Sequence, residues 1–140
     1  MDLILWRHAD AEDGAPDLAR RLTPQGEQQA GRVAAWLRAH LPRDLALRVS
    51  PALRAQQTAR ALRADFETVY ELAPGASVEA ILKVAGSQGT VVLVGHQPDL
   101  GQAIAYLLCG EARDWSVAKG AIWWIKGRSV KAVISPDLLP

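Results

Sequence analysis

The sequence predicts an α/β fold of three layers: a mainly parallel sheet with helices on both faces, ending in an antiparallel hairpin. Three observations predict it. Short apolar runs alternate four times with stretches of helical periodicity. The helical stretches open on Thr-Pro, Ser-Pro or Ser signals. The last stretch changes character, to two strand-like runs around a glycine. Parallel strands need crossover connections, and the intervening helices supply them.

The first strand is read over Asp2 to Arg7, "DLILWR". Ala9 to Ala19 follows it, acidic and containing Gly and Pro, and reads as a loop. Thr23 then Pro24 marks a helix start, behind which Ala30, Val33, Ala34, Leu37 and Leu41 recur at helical spacing. A second strand is expected over Leu45 to Ser50, with a second helix starting at Ser50 and Pro51 in its first turn. Phe66 to Tyr70 reads as the third strand, and Ser77 after "PGA" as the cap of a shorter helix. The fourth strand is Thr90 to Gly95, and its helix runs from about Pro98 to Leu108 before Gly110 stops it. "AIWWIKGRSVKAVI" completes the chain as a hairpin turning at Gly127, with Trp123 and Trp124 facing opposite sides.

With 140 residues, 49% hydrophobic and 22% charged, the chain fits one domain spanning 1–140. The net charge is +1 and the Lys and Arg residues are spread out, so neither nucleic acid nor a membrane surface is an expected partner. Any positive site must be local. Cys109 is the lone cysteine, within "AIAYLLC"; it allows no intramolecular disulfide and no cysteine metal site, and reads as a small core residue. The apolar runs fall short of the ~20 residues that span a bilayer. Arg7 and His8 interrupt the first run too early for a secretory leader, so a cytoplasmic protein is expected.

In open α/β sheets, ligands bind beyond the carboxyl ends of the strands. There this chain places Arg7 and His8 after the first strand, Arg54 after the second, Glu71 after the third and His96 after the fourth. Arginine stays charged and offers a planar fork that matches phosphate oxygens, so two arginines on one rim favour a phosphoryl group. Two histidines supply a nucleophile and a switchable donor. The rival account is a metal held by His8, Asp10 and His96, against which the adjacent guanidinium charges count. His40, near the end of a helix, reads as structural. Glu71 reads equally well as a site carboxylate and as a salt-bridged surface residue.

"WRHADAE", "LTPQGEQQA", "SPALRAQQT" and "VGHQPD" resemble, in order and spacing, the histidine phosphatase superfamily, and most closely its short SixA-like phosphohistidine phosphatases. The resemblance spans residues 2 to about 101. It implies that His8 accepts the phosphoryl group, with Arg7, Arg54 and His96 completing the phosphate pocket, and that no metal or other cofactor is needed. Arg20 is similar to an arginine ahead of the "LT" motif, with Arg21 as its neighbour. Glu71 stands in the region where larger members carry their acid, and is the candidate acid. Ala9 replaces the family's usual glycine, which leaves the pocket intact if its backbone angles are ordinary.

The implied chemistry is two-step phosphoryl transfer: neutral His8 attacks, while Arg7, Arg54 and a protonated His96 hold the non-bridging oxygens. A phosphohistidine-bearing protein is the expected partner and substrate. The alternatives are a phosphatase for small phosphate esters, or a catalytically weak module that binds phosphoproteins.

Overall fold

The computed structural model describes all 140 residues. Six strands form one sheet: β1 Asp2–Arg7, β2 Ala46–Val49, β3 Glu67–Thr68, β4 Thr90–Gly95, β5 Ile122–Lys126 and β6 Ser129–Ile134. Their spatial order is β3-β2-β4-β1-β5-β6. The first four run parallel; β5 lies antiparallel to β1 and β6 antiparallel to β5. Four helices cover the sheet: α1 Pro24–His40, α2 Leu53–Leu62, α3 Val78–Ala85 and α4 Asp99–Cys109.

Period-two alternation along the strands creates the layers. Ile4 and Trp6 enter a core with Val33 and Leu37 of α1 and Ala55 and Ala59 of α2. Leu3 and Leu5 point the other way, to Ile81 of α3 and Leu100 and Ile104 of α4. Trp124 joins the first core, and Trp123 packs against the second, on opposite faces as expected. No helix is long and apolar enough to cross a membrane.

The local signals explain the helix ends. Thr23 caps α1, its hydroxyl accepting the Gly26 N–H at 3.0 Å, and Pro24 occupies the first turn. A Cβ on Gly26 would run into the Asp10 carbonyl, so the glycine lets α1 lie directly against the loop that follows β1. Gly110 ends α4 in the left-handed region, at φ 78°.

Three readings need correction. The third strand shrinks to Glu67–Thr68, because the chain turns at Tyr70–Leu72 to bury Leu72 in the core while Tyr70 stays exposed. α2 starts at Leu53 behind Ala52 rather than at Ser50, whose hydroxyl is engaged elsewhere. Cys109 is exposed, not core: it closes the last turn of α4, with its thiol donating to the Ala105 carbonyl.

The strand order assembles the rim. Because β4 lies between β1 and β2, the residues leaving these three strands come out side by side: Arg7 and His8, then His96, then Ser50.

Candidate active site

His8 leaves β1 with its N–H still donating to the Gly95 carbonyl at 3.1 Å, so its backbone is held by the sheet. Its Nδ1 lies 2.8 Å from the Ala9 carbonyl oxygen. A carbonyl only accepts, so Nδ1 carries the proton and Nε2 the lone pair. Arg54 Nε donates towards that lone pair at 3.4 Å. Burial, with the charges of Arg54, Arg7 and Arg20 behind it, pushes the His8 imidazolium down to about 4, against the opposing effect of the Ala9 bond. His8 is therefore a neutral base near pH 7.

Ala9, where the family has glycine, is fully buried, and no non-glycine residue in the chain has a positive φ. Its N–H donates to Thr58 Oγ1 at 3.0 Å, and the Thr58 hydroxyl donates to the Arg54 carbonyl at 2.7 Å. One threonine of α2 thus ties the loop that carries His8 to the arginine's helix turn. Gln57 works alongside it, accepting the Leu22 N–H at 2.7 Å.

Arg7 donates through Nη1 to the Val117 carbonyl at 2.9 Å, and its buried Nε has no partner in the protein. Burial lowers the pKa of this guanidinium. Arg54, in the first turn of α2, donates through Nη1 to the Asp17 carbonyl at 2.8 Å and through Nη2 to Asp17 Oδ2 at 3.1 Å. Asp17 Oδ1 accepts from Arg20 Nη1 at 3.1 Å, which brings Arg20 to the rim. Arg21 instead faces Glu12 at 3.6 Å, and is mostly exposed.

His96 lies beside His8, ring centroids 5.2 Å apart. Its Nε2 is 2.7 Å from Ser50 Oγ, a hydroxyl that also accepts the Ala52 N–H. When Ser50 gives its proton to Nε2, the His96 proton sits on Nδ1, which is buried and has no partner in the protein. The protonated His96 of the expected reaction belongs to the phosphoryl-bound pocket; the free pocket favours the neutral ring. Burial first, then the charges of His8, Arg54 and Arg7, push it down to about 3, although Asp17 opposes them.

Arg7, Arg54 and Arg20 thus all act on the charge of His8, with His96 beside it. Glu71 stands apart from them, exposed on the turn after β3, in a depression it shares with Ser77, Glu79, Ala80, Lys83 and Val84. No hydrogen bond or ion pair joins it to the histidines or arginines of the rim. Asp10 accepts from Lys119 Nζ at 2.8 Å and from the Thr23 hydroxyl at 2.7 Å, and both bonds hold its carboxyl below the usual range. No three His, Cys, Asp or Glu side chains converge to hold a metal ion. His40 is structural as expected, donating to the Trp36 carbonyl and stacking on that ring.

Sequence reasoning missed Ser50, Thr58 and Asp17 as site residues. Ser50 and Thr58 lie within "SPALRAQQT", but a serine before proline reads first as a helix cap. Asp17 carried no signal beyond a negative charge three residues before Arg20.

The family model of the histidine phosphatase superfamily, branch 1, matches residues 3–77. An uncharacterized protein of Mycobacterium tuberculosis is 36% identical over 120 residues, covering 81% of this chain and 76% of its own. Phosphohistidine phosphatase SixA of Escherichia coli is 32% identical over 123 residues, covering 79% of this chain and 76% of its own. The solved structure of the protein histidine phosphatase SixA complexed with tungstate superposes with a TM-score of 0.81, at 26% identity, covering 99% of each chain. The motifs that place His8, Arg54 and Thr58 lie within the matched segment, and the chain belongs to the histidine phosphatase superfamily, branch 1.

Proposed function

We propose that this protein is a phosphatase that works without a metal, through a phosphohistidine on His8, and that its substrate is phosphohistidine on another protein. The observation that carries the reading is the state of His8: Nδ1–H tied to the Ala9 carbonyl, Nε2 left as a lone pair, and the Arg54 Nε–H beside it. The buried Arg7 Nε and His96 Nδ1 lend further support, since buried polar groups in native proteins nearly always find a partner. A phosphoryl oxygen satisfies both.

In the first step a bond forms from His8 Nε2 to phosphorus, and the bond to the leaving group breaks in line with it. Arg7, Arg54 and the Nδ1–H of His96 take the non-bridging oxygens, with Arg20 adding charge at the rim. In the second step water attacks phosphorus, His8 departs as the neutral imidazole that kept its Nδ1 proton, and the water proton passes to phosphate. A bound phosphoryl anion also favours the cationic form of His96, reversing the effect of its cationic neighbours.

Two features support phosphohistidine as the substrate. Asp17, bonded to Arg54 and Arg20, and Asp10, bonded to Lys119, are both held ionised by cationic partners, so neither offers a proton to an alkoxide. A protonated phosphoimidazole needs none, for it leaves as neutral imidazole. The connection from β3 to β4 is also used up by the Tyr70–Leu72 turn and by α3, whose Ile81 and Ala85 pack into the core instead of forming a cap. The similarity to the phosphohistidine phosphatase SixA of Escherichia coli points the same way. For ester substrates, Glu71 is the candidate proton donor.

Single-turnover reaction with a labelled phosphodonor tests this. An acid-labile, alkali-stable label on His8 that turns over in the presence of EDTA is expected. Label that persists in His8→Ala overturns the reading, and a label that forms but never hydrolyses favours a binding module. The substrate class is read from kcat/KM, which should be much higher for a phosphohistidine protein than for phosphoserine peptides or sugar phosphates.

A further inference from the structure

Asp17 is the carboxylate bonded to Arg54, and it lies on the turn Asp17–Ala19 within the acidic loop after β1. Its two oxygens are divided between two rim arginines, Oδ2 to Arg54 and Oδ1 to Arg20, each at 3.1 Å. One guanidinium therefore separates Asp17 from the nucleophilic nitrogen, because the same Arg54 presents Nε to His8. The Arg54 side chain is 5% exposed and that of Asp17 is 55% exposed. The path from His8 through Arg54 to Asp17 thus runs from buried groups out to an exposed one. In-line attack sends the leaving group away from buried His8, towards solvent, where Asp17 lies exposed. The charge of Asp17 is also felt at His96.

We propose that Asp17 selects the leaving group: its carboxylate meets a leaving group that brings a positively charged N–H, such as a protonated phosphoimidazole, and repels one that brings another anion. The inference rests on the phosphatase reading of the pocket and adds to it the residue that discriminates between substrates. Asp17 acts as an acceptor. The ring N–H donates to the carboxylate, the P–N bond breaks with its electron pair going to the ring, and imidazole leaves neutral with that proton still on it. The positive charge is greatest in the bound substrate and fades as the bond breaks. The contact accordingly acts on KM more than on kcat.

The test compares a phosphohistidine protein with phosphoglycolate, a small ester whose leaving group carries a carboxylate, followed as substrate or as competitive inhibitor. The variants are Asp17→Asn, Asp17→Glu and His8→Ala. In Asp17→Asn the preference for the phosphohistidine protein should fall about tenfold or more, the scale of one hydrogen bond to a charged group. KM should rise for phosphohistidine while phosphoglycolate binds more tightly, and Asp17→Glu should recover most of the preference. If Asp17 only holds the arginines in place, both substrates weaken together and the ratio stays constant. A constant ratio with turnover still dependent on His8 overturns the role of Asp17 alone. Turnover that survives in His8→Ala overturns the reading of the pocket, and this inference with it.

Discussion

Ser50 Oγ lies 2.7 Å from His96 Nε2, joining the end of β2 to the end of β4. When the hydroxyl donates to Nε2, the ring keeps its proton on Nδ1, and the contact then sets which His96 nitrogen faces a bound anion as a donor. Removing the hydroxyl leaves the imidazole in place but frees its tautomer. Ser50→Ala should therefore lower kcat about tenfold for all substrates alike, less than the ~10²- to 10³-fold expected when a whole donor is lost, as in His96→Ala. Steady-state rates on two substrates with different leaving groups check this. Full activity in Ser50→Ala would show that His96 needs no such orientation.

The histidines also set the pH behaviour. With His8 pushed down to about 4, the proposed nucleophile stays neutral well below the ordinary imidazole range. The kcat/KM profile should stay level from pH 7 to about 5 and fall only near 4, in place of a limb near 6.5. Stability has the opposite sensitivity. Above pH 6.5 these histidines are neutral in both states and contribute nothing. Below it the unfolded chain binds protons that buried His8 and His96 refuse, so stability falls as pH drops from about 6.5 towards 4. Urea unfolding at pH 7, 6 and 5 should show this decline, and His96→Asn should flatten it.

Much of this is legible in the sequence alone, and for physical reasons. A strand buried on both faces leaves a near-continuous apolar run, so β1 and β4 and the residues that follow them could be placed from "LILW" and "TVVLV". That placed Arg7, His8 and His96 on the rim. β3 was over-read because an edge strand needs little pairing, and the apolar residues near it serve the core from a turn. Asp17 was illegible because its partner Arg54 is 37 positions away, and a pairing across that distance leaves no local pattern. Cys109 misled through its apolar neighbours, since the last turn of α4 rotates it out to solvent.

Thr58 and Ala9 form a pair whose contribution can be measured. Thr58→Val keeps the shape but leaves the buried Ala9 N–H without an acceptor, at a cost of about 1–3 kcal/mol. Ala9→Gly restores the family's residue at a position whose φ does not require it. Glycine there mainly adds freedom to the unfolded chain, so the loss should be only about 0.4–1 kcal/mol, with His8 labelling retained. Chemical denaturation of both variants tests the pair. A stabilised Ala9→Gly would mean that the alanine is strained after all.

Glu71 separates two kinds of leaving group. It is exposed on the turn after β3 and unbonded to the rim, so it meets a leaving group only when a substrate reaches across that edge. An alkyl ester must be protonated as it departs, whereas an aryl ester with an acidic phenol departs without help, and a protonated phosphoimidazole carries its own proton. If Glu71 is the donor, Glu71→Gln should slow an alkyl phosphate about 10²-fold or more, the scale of general acid catalysis, and the aryl phosphate and the phosphohistidine protein far less. Rates for the three substrates, each divided by the wild-type rate, make the comparison independent of folding losses. Equal losses on all three would reduce Glu71 to a surface residue and leave the pocket without an acid. Such a pocket would favour phosphohistidine over alkyl esters still more strongly.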